Sequence, residues 1–254
     1  MLDVSSAPSR AAPPRPYRSA IRERRARETR ERILAAAGAE FVRAGYAGTT
    51  IRSVASAAGV SMPTVELVFG TKSRLLQAAI SFAIRGDVDP IPMLQRNWAA
   101  RAAASASVLE FLTIVGRVLA EAAQRSAGLV LAAFEAANVD ESMRALADEL
   151  RAHRAETAAW IVDGLTRRSP LRAEITRKQA IDIVWLLMDP HGFCALTQDR
   201  GWTRHQFERW FMDSVSRLLV ERETTAPETE LRSSSRSRPR SRRSNPSPKQ
   251  ERTR

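Results

Sequence analysis

Apolar residues recur at helical spacing through residues 22–86, and breaks in this spacing divide the segment into four helices. The first helix is expected over residues 22–44. Glycine breaks the pattern after each of the first three helices, at Gly45, Gly59 and Gly70. A hydroxyl side chain can cap each following helix, at Thr49 or Thr50, at Ser61 and at Thr71. The residues predicted to be buried are Ile33, Leu34, Ala37, Phe41, Ile51, Val54, Ala55, Ala58, Leu75, Leu76, Ala79, Ile80 and Ala83.

After Gly86, a linker with two prolines at residues 87–92 marks the expected domain boundary. Beyond it, the pattern predicts helices at residues 93–104, 107–125, 127–138, 141–167, 176–198 and 203–222. Asp189-Pro190 falls inside one of these helices and should kink or end it, since proline lacks an N–H donor. Alternating β-branched runs and hairpin dipeptides are absent, so the sequence predicts an all-α fold.

The two ends of the chain differ in composition from this helical core. Residues 1–21 and 224–254 are rich in Arg, Ser and Pro with few apolar residues to bury, so both are expected to be disordered. Of the net charge of +12, residues 1–30 carry +5 and residues 224–254 carry +6, which leaves +1 for the remainder. Such basic arms either attract phosphate without regard to sequence or act as solubilising tails.

Several protein classes are disfavoured by what the sequence lacks. The single cysteine, Cys194, allows no intramolecular disulfide and no multi-cysteine metal site, which is consistent with a reducing cytoplasm. No secretory signal is visible, and no uninterrupted apolar run of about 18 residues predicts a membrane span. The three histidines are scattered, and metalloprotease, nucleophile-elbow and phosphate-loop motifs are absent. We therefore expect no enzymatic activity, no cofactor and no metal site.

Residues 49–72 have the pattern of two short helices packed at a steep angle. Ala55 and Ala58 provide the small side chains that such a contact requires, Gly59 permits the tight turn, and Val60 and Val65 fill the space between the helices. The second of these helices keeps an outward face that contains Met62, Pro63, Thr64, Glu66 and Leu67. In a helix-turn-helix, the N-terminal part of this face enters the major groove of DNA.

Over residues 25–85 the sequence resembles the tetracycline-repressor (TetR) family of transcriptional regulators. The resemblance rests on the order and spacing of Phe41…Gly45-Tyr46, Thr49-Thr50, Ala55-x-x-Ala58-Gly59-Val60-Ser61 and Phe69-x-x-Lys72-x-x-Leu75-Leu76. It implies a three-helix DNA-binding head at residues 22–86, followed by a helical effector-binding and dimerisation domain at residues 87–223.

The resemblance also implies roles for individual residues of the head. Thr50 and Arg52 would contact phosphates, Lys72 would clamp the DNA backbone, and Phe69 would be structural. The residues expected to face the groove are Met62, Pro63, Thr64 and Leu67, and the expected DNA-binding set also includes Ser61 and Glu66.

Glu66 departs from the family pattern, in which a tyrosine usually occupies this position and a histidine often occupies that of Val68. A carboxylate is repelled by phosphate, so Glu66 needs another role. It can accept a hydrogen bond from cytosine N4 in the major groove. Alternatively, it can pair with Arg52 or Lys72, which we favour slightly. Because the groove-facing residues offer few hydrogen-bond donors, readout would depend on thymine methyl groups and DNA shape.

The last two helices of the predicted second domain carry more apolar surface than one burial partner requires. Family members are typically homodimers that pair these helices, which predicts an interface containing Ile181, Trp185, Met188, Phe207, Phe211 and Leu218. The alternative is that these residues are simply core. A small-molecule effector pocket is expected among the middle helices, with Phe111, Phe134, Trp160, Trp185 and His191 as candidates.

Together these features predict a ligand-responsive repressor in the cytoplasm, associated with the nucleoid. It would bind a palindromic operator in double-stranded DNA as a homodimer, through residues 49–69. One alternative is a non-specific nucleic-acid-binding protein that relies on its basic tails. Another, favoured only by Glu66, is an interaction adaptor with weakened DNA binding.

Overall fold

The computed structural model describes residues 16–138 and 140–221, with side chains from residue 20 onward. Ten α-helices account for most of this part, together with a 3-10 turn at Met93–Gln95 and a π-helical turn at Ala195–Asp199. The α-helices are α1 (Pro16–Gly48), α2 (Ile51–Ala58), α3 (Met62–Phe69), α4 (Lys72–Arg85), α5 (Asn97–Ala104), α6 (Val108–Ala136), α7 (Glu141–Thr166), α8 (Arg177–Leu187), α9 (Pro190–Cys194) and α10 (Arg204–Leu219). The all-α prediction is confirmed for these residues.

The first four helices end and begin close to the predicted positions. α1 is broken at Gly45, whose φ of 66° lies in the left-handed region that side chains disfavour. Thr50, and not Thr49, caps α2: its hydroxyl accepts the Ser53 N–H, and the Ser53 hydroxyl oxygen accepts the Thr50 N–H in return. Of the predicted buried residues, Ile51 alone is only partly buried. α1 begins at Pro16, so the prediction of disorder is wrong for residues 16–21, and the rest of the two predicted disordered ends lies outside the described residues.

Two apolar cores hold the described part of the chain together. The first contains the buried faces of α1 to α4, and residues of α6 and α7 such as Leu129, Ala133 and Met143 complete it. The second lies among α5 to α10 and contains Phe111 and Ile161. α6 contributes to both cores. The proposed domain boundary near residue 86 therefore falls within one compact unit that ends at Glu221, and it stays a prediction.

α6 is one continuous helix of 29 residues, so the prediction of separate helices at 107–125 and 127–138 is wrong. Ser126, which lies between the two predicted helices, is buried, and its hydroxyl donates to the Ala122 carbonyl within the helix. The predicted helix at 93–104 likewise begins later, at Asn97, after the 3-10 turn.

The predicted break at Asp189-Pro190 is confirmed. α8 ends at Leu187, and the Asp189 side chain accepts the His191 N–H at the start of α9. Among the described residues, no single helix is both long and apolar enough to cross a membrane. Only the pair Arg177–Leu187 and Pro190–Asp199, bent by 42°, has the length and composition of a membrane span.

Candidate nucleic-acid interface

α2 and α3 form a helix-turn-helix whose turn is fixed by backbone hydrogen bonds. Gly59 adopts the left-handed conformation (φ 64°, ψ 40°), and its N–H donates to the carbonyl of Ser56. The next amide, that of Val60, donates to Ala55 at 3.0 Å. With Ala55 and Val65 buried behind the turn, α3 has little freedom to shift relative to α2.

The hydroxyl groups of two residues cap the start of α3. Ser61 Oγ accepts the Thr64 N–H at 3.3 Å, and the Ser61 and Thr64 hydroxyl oxygens lie 2.8 Å apart. Pro63 sits in the first turn, where its missing N–H costs little. Ser61 and Thr64 therefore order the N-terminal end of the helix, and each keeps hydrogen-bonding capacity for an outside group.

The outward face of α3 carries the predicted groove-facing residues, with two differences. Leu67 is 88% exposed, and Pro63 and Glu66 are also exposed. Met62 packs partly against the head core, and Thr64 is likewise only partly exposed. This face is largely apolar and includes a single carboxylate.

Glu66 has no cationic partner within 4.0 Å among the described residues, so the favoured pairing with Arg52 or Lys72 is wrong. Lys72 points elsewhere: its Nζ donates to the Tyr46 carbonyl at 2.9 Å and lies 4.3 Å from the Tyr46 ring centroid. Arg52 is exposed, and it forms no ion pair or side-chain hydrogen bond within the described ranges. A role for Glu66 in accepting from cytosine N4 stays a prediction.

Tyr46 connects the start of α4 to the start of α7. Its hydroxyl donates to Asp140 Oδ2 at 3.2 Å, and Asp140 caps α7 by accepting the Ser142 N–H. Burial, reinforced by the charge of Asp140, raises the pKa of Tyr46, which keeps the hydroxyl protonated as a donor. Lys72, Tyr46 and Asp140 thus form a chain of contacts from the head to α7, which the sequence did not indicate.

Phe69 is structural, as predicted, because it is buried in the head core. The guanidinium of Arg30 lies over its ring, 4.7 Å from the centroid. Arg74 lies beside Gly70, directly after the end of α3. Arg30 and Arg74 are the residues near this surface that sequence reasoning missed. Both arginines lie close in the helix to buried apolar residues, and this spacing is the feature of the sequence that could have indicated them.

The five effector-pocket candidates do not converge on one point. Phe111 and Trp160 are in contact, with ring centroids 5.6 Å apart, and Phe111 is fully buried. Phe134 instead stacks on His191 at 6.4 Å. Trp185 lies under the Arg154 guanidinium at 3.8 Å. Phe111, Trp160 and Trp185 therefore lie in or against the second core, whereas Phe134 packs against the first.

Phe134, Trp185 and His191 gather around a largely buried ion pair. Arg154 Nη1 donates to Asp189 Oδ2 at 2.6 Å, and the side chains are 10% and 21% exposed. Burial by itself would raise the pKa of Asp189, but hydrogen bonds from the His191 N–H and from Arg154 outweigh it and lower that pKa. Arg154 Nε is buried and has no partner among the described residues.

The predicted dimer residues divide into two groups. Phe207 and Phe211 are buried in the chain's own core, so the structure removes them from the surface available to a partner. Ile181, Trp185 and Met188 are partly buried on α8 or directly after it, and Leu218 is exposed on α10. Leu186, which the prediction omitted, is 66% exposed on α8.

Within residues 16–138 and 140–221, no three His, Cys, Asp or Glu side chains converge to form a metal site.

Residues 33–79 match the family model of bacterial regulatory proteins of the tetR family. No curated protein matches the sequence. Solved structures share the fold at low identity. A transcriptional regulator from Saccharomonospora viridis in complex with choline is 20% identical, with a TM-score of 0.57, covering 77% of this chain and 99% of that one.

Two further solved structures are similar to the same extent. A TetR transcriptional regulator from Chloroflexus aurantiacus is 21% identical, with a TM-score of 0.55, covering 78% of this chain and 98% of its own. FadR from Bacillus subtilis in complex with stearoyl-CoA is 15% identical, with a TM-score of 0.56, covering 73% of this chain and 96% of its own. At these identities the likeness is one of fold.

Proposed function

We propose that this chain, whose residues 33–79 match the tetR family of bacterial regulatory proteins, is a DNA-binding transcriptional repressor. It would bind a palindromic operator as a homodimer and be released by a small molecule. The observation that carries the proposal is the exposed outward face of α3, presented by a hydrogen-bonded turn at Gly59. A rigid, solvent-facing helix of this kind is suited to the major groove.

Two further observations support the dimeric, ligand-responsive part of the proposal. Leu186 and Leu218 leave apolar side chains exposed on α8 and α10, where a second copy can bury them. Two heads held in this way would meet half-sites about one helical turn apart. The choline and stearoyl-CoA complexes of proteins with this fold support a small-molecule effector, whose chemistry in this chain is left open.

The first experiment is genome-wide footprinting of the DNA that the full chain occupies. We expect discrete sites with inverted repeats, and the genes beside them would suggest the effector. Occupancy without sequence preference that is lost when residues 1–15 and 224–254 are removed would instead favour non-specific binding through the basic tails. A repressor lacking both segments should keep its preference.

The reading surface is tested by gel-shift titration of a duplex carrying the best-occupied site. Arg52→Ala and Thr64→Ala should each weaken binding, because the first removes a cation and the second a hydroxyl from the surface that faces DNA. Arg101→Ala, on an exposed position of α5, is the matched control and should bind as the wild type does. Unchanged affinity in both head variants would contradict this docking.

A further inference from the structure

A cleft of about 420 Å³ lies beside the C-terminal end of α3. Its wall is formed by residues 66–70, by Arg30 of α1 and by Arg74 of α4. A second cavity, of about 270 Å³, continues from it along α4 and shares Arg30 and Arg74. The two arginines therefore stand at the junction of one continuous depression on the head.

The arginines of this cleft differ from several other arginines near the head in their lack of anionic partners. Arg24 pairs with Glu28, Arg27 with Asp89, and Arg43 with Glu40. For Arg30 the described residues provide only the ring of Phe69, and for Arg74 they provide no ion pair or side-chain hydrogen bond. The cation–π contact leaves the N–H groups at the edge of the Arg30 guanidinium free to donate.

The position of the cleft determines what it meets when α3 docks. Glu66 and Leu67 belong both to the outward face of α3 and to the cleft wall. A helix in the major groove is bordered on each side by a phosphate backbone, because the groove is only about 12 Å wide. A cation next to the end of that helix therefore faces phosphates rather than base edges.

We propose that Arg30 and Arg74 together bind a backbone phosphate at the edge of the major groove that α3 enters. This inference rests on the proposed function and names a contact of the same site. Guanidinium groups suit such a contact because their fixed donors match phosphate oxygens. Lys72 lines neither cavity and its Nζ is engaged by Tyr46. Arg85 lines only the second cavity, so Arg30 and Arg74 are the cations of the cleft beside α3 among the described residues.

The same arrangement accounts for Glu66 on a DNA-facing surface. Its carboxylate lines the cleft but forms no ion pair with any described residue, so it opposes phosphate at long range. Two guanidinium groups beside one carboxylate leave a net positive cleft. Glu66→Gln should therefore tighten binding to any duplex, whether or not it carries the preferred site.

The test measures binding by fluorescence anisotropy at several salt concentrations, using a duplex of about three helical turns with the best-occupied site and a scrambled duplex of equal length. Arg30→Gln and Arg74→Gln should each weaken binding to both duplexes about tenfold, as expected for the loss of one charge-assisted contact. The slope of log affinity against log salt should fall by about one, and the preference between duplexes should persist.

Two further variants keep the test interpretable. Arg30→Lys retains the charge but not the fixed donors of the guanidinium group, so it should restore the salt slope and part of the lost affinity, which a purely structural role of the guanidinium plane would not predict. Arg144→Gln, at an exposed position of α7 with no ion pair among the described residues, should match the wild type. Thermal unfolding of each variant identifies any loss that comes from a destabilised head.

The outcomes separate this contact from the proposed function. A wild-type chain with no preference for the site duplex would defeat the proposed function. A wild type with that preference, alongside arginine variants that match Arg144→Gln in affinity and salt slope, would overturn the phosphate contact alone. Variants that bind DNA normally but no longer bind a polyglutamate peptide would assign the cleft to an acidic protein segment, which also overturns it.

Discussion

At the scale of single residues, Gly164 lies in the second core at a position with no space for a side chain. A Cβ placed on Gly164 would collide with the ring of Phe111, whose face is covered by the Arg168 guanidinium at 4.4 Å. Arg168 itself donates to the carbonyls of Ala102 and Ser105 at the end of α5. The ring therefore has packed neighbours at its Cζ edge and over one face, and little space into which it can move.

Gly164→Ala should lower the free energy of unfolding by about 2 kcal/mol, because the added methyl group overpacks this core. Gly192→Ala is the matched control, since Gly192 is helical and, beyond its chain neighbours and its own helix backbone, no atom of the described residues lies within 4 Å of the point that its Cβ would occupy. The control should leave stability unchanged or raise it by up to about 1 kcal/mol through helix propensity. Urea unfolding followed by circular dichroism measures both. Equal effects would show that Phe111 has room to move.

At the scale of elements, the break between α8 and α9 depends on Asp189. This residue both caps α9 and neutralises Arg154, which is nine-tenths buried. Removal of its carboxylate would leave a buried guanidinium without a counter-charge and a helix end without a cap.

Asp189→Ala should therefore destabilise the fold by about 3 kcal/mol at pH 7. The exposed pair Arg217–Asp213 provides the control, and Asp213→Ala should cost about 0.5 kcal/mol or less. Because the folded chain lowers the pKa of Asp189, its stabilisation is complete above the ordinary value of 3.8 and fades as pH falls below it. The difference between the wild type and Asp189→Ala in urea unfolding should shrink over that acidic range. A difference independent of pH would assign the effect to packing alone.

The helices also show which features of the fold can be predicted from the sequence. Caps such as Ser61 and Thr71, and the buried stripes of α1 to α4, follow from local spacing, because helix periodicity and capping are properties of neighbouring residues. The contacts of Lys72 with Tyr46 and of Arg154 with Asp189 join residues that are 26 and 35 positions apart. Such pairs depend on how helices cross, which a local pattern does not encode. The cleft between Arg30 and Arg74 was missed for the same reason.

At the scale of the whole molecule, the exposed leucines of α8 and α10 give the proposed dimer a direct test. Replacing both Leu186 and Leu218 with Glu should shift the sedimentation coefficient towards that of a monomer, because burial of these charges at an interface is costly. Leu109→Glu, on an exposed residue of α6, is the control and should sediment as the wild type does. A double variant that remains dimeric would place the interface elsewhere.

The continuity of α6 has a mechanical consequence. Its 29 residues span about 43 Å, with Phe111 and Val115 fixed in the second core and Leu129 and Ala133 in the first. Arg125, between them, donates to the carbonyls of Ala83 and Ile84 in the last turn of α4. A rod without a hinge acts as a lever arm, and a tilt of about 5° at one end would displace the other by about 4 Å. A displacement of that size exceeds the tolerance of a hydrogen bond. A small molecule that tilts the N-terminal end of α6 would therefore shift its contacts with α4 in the head without unfolding any helix between them.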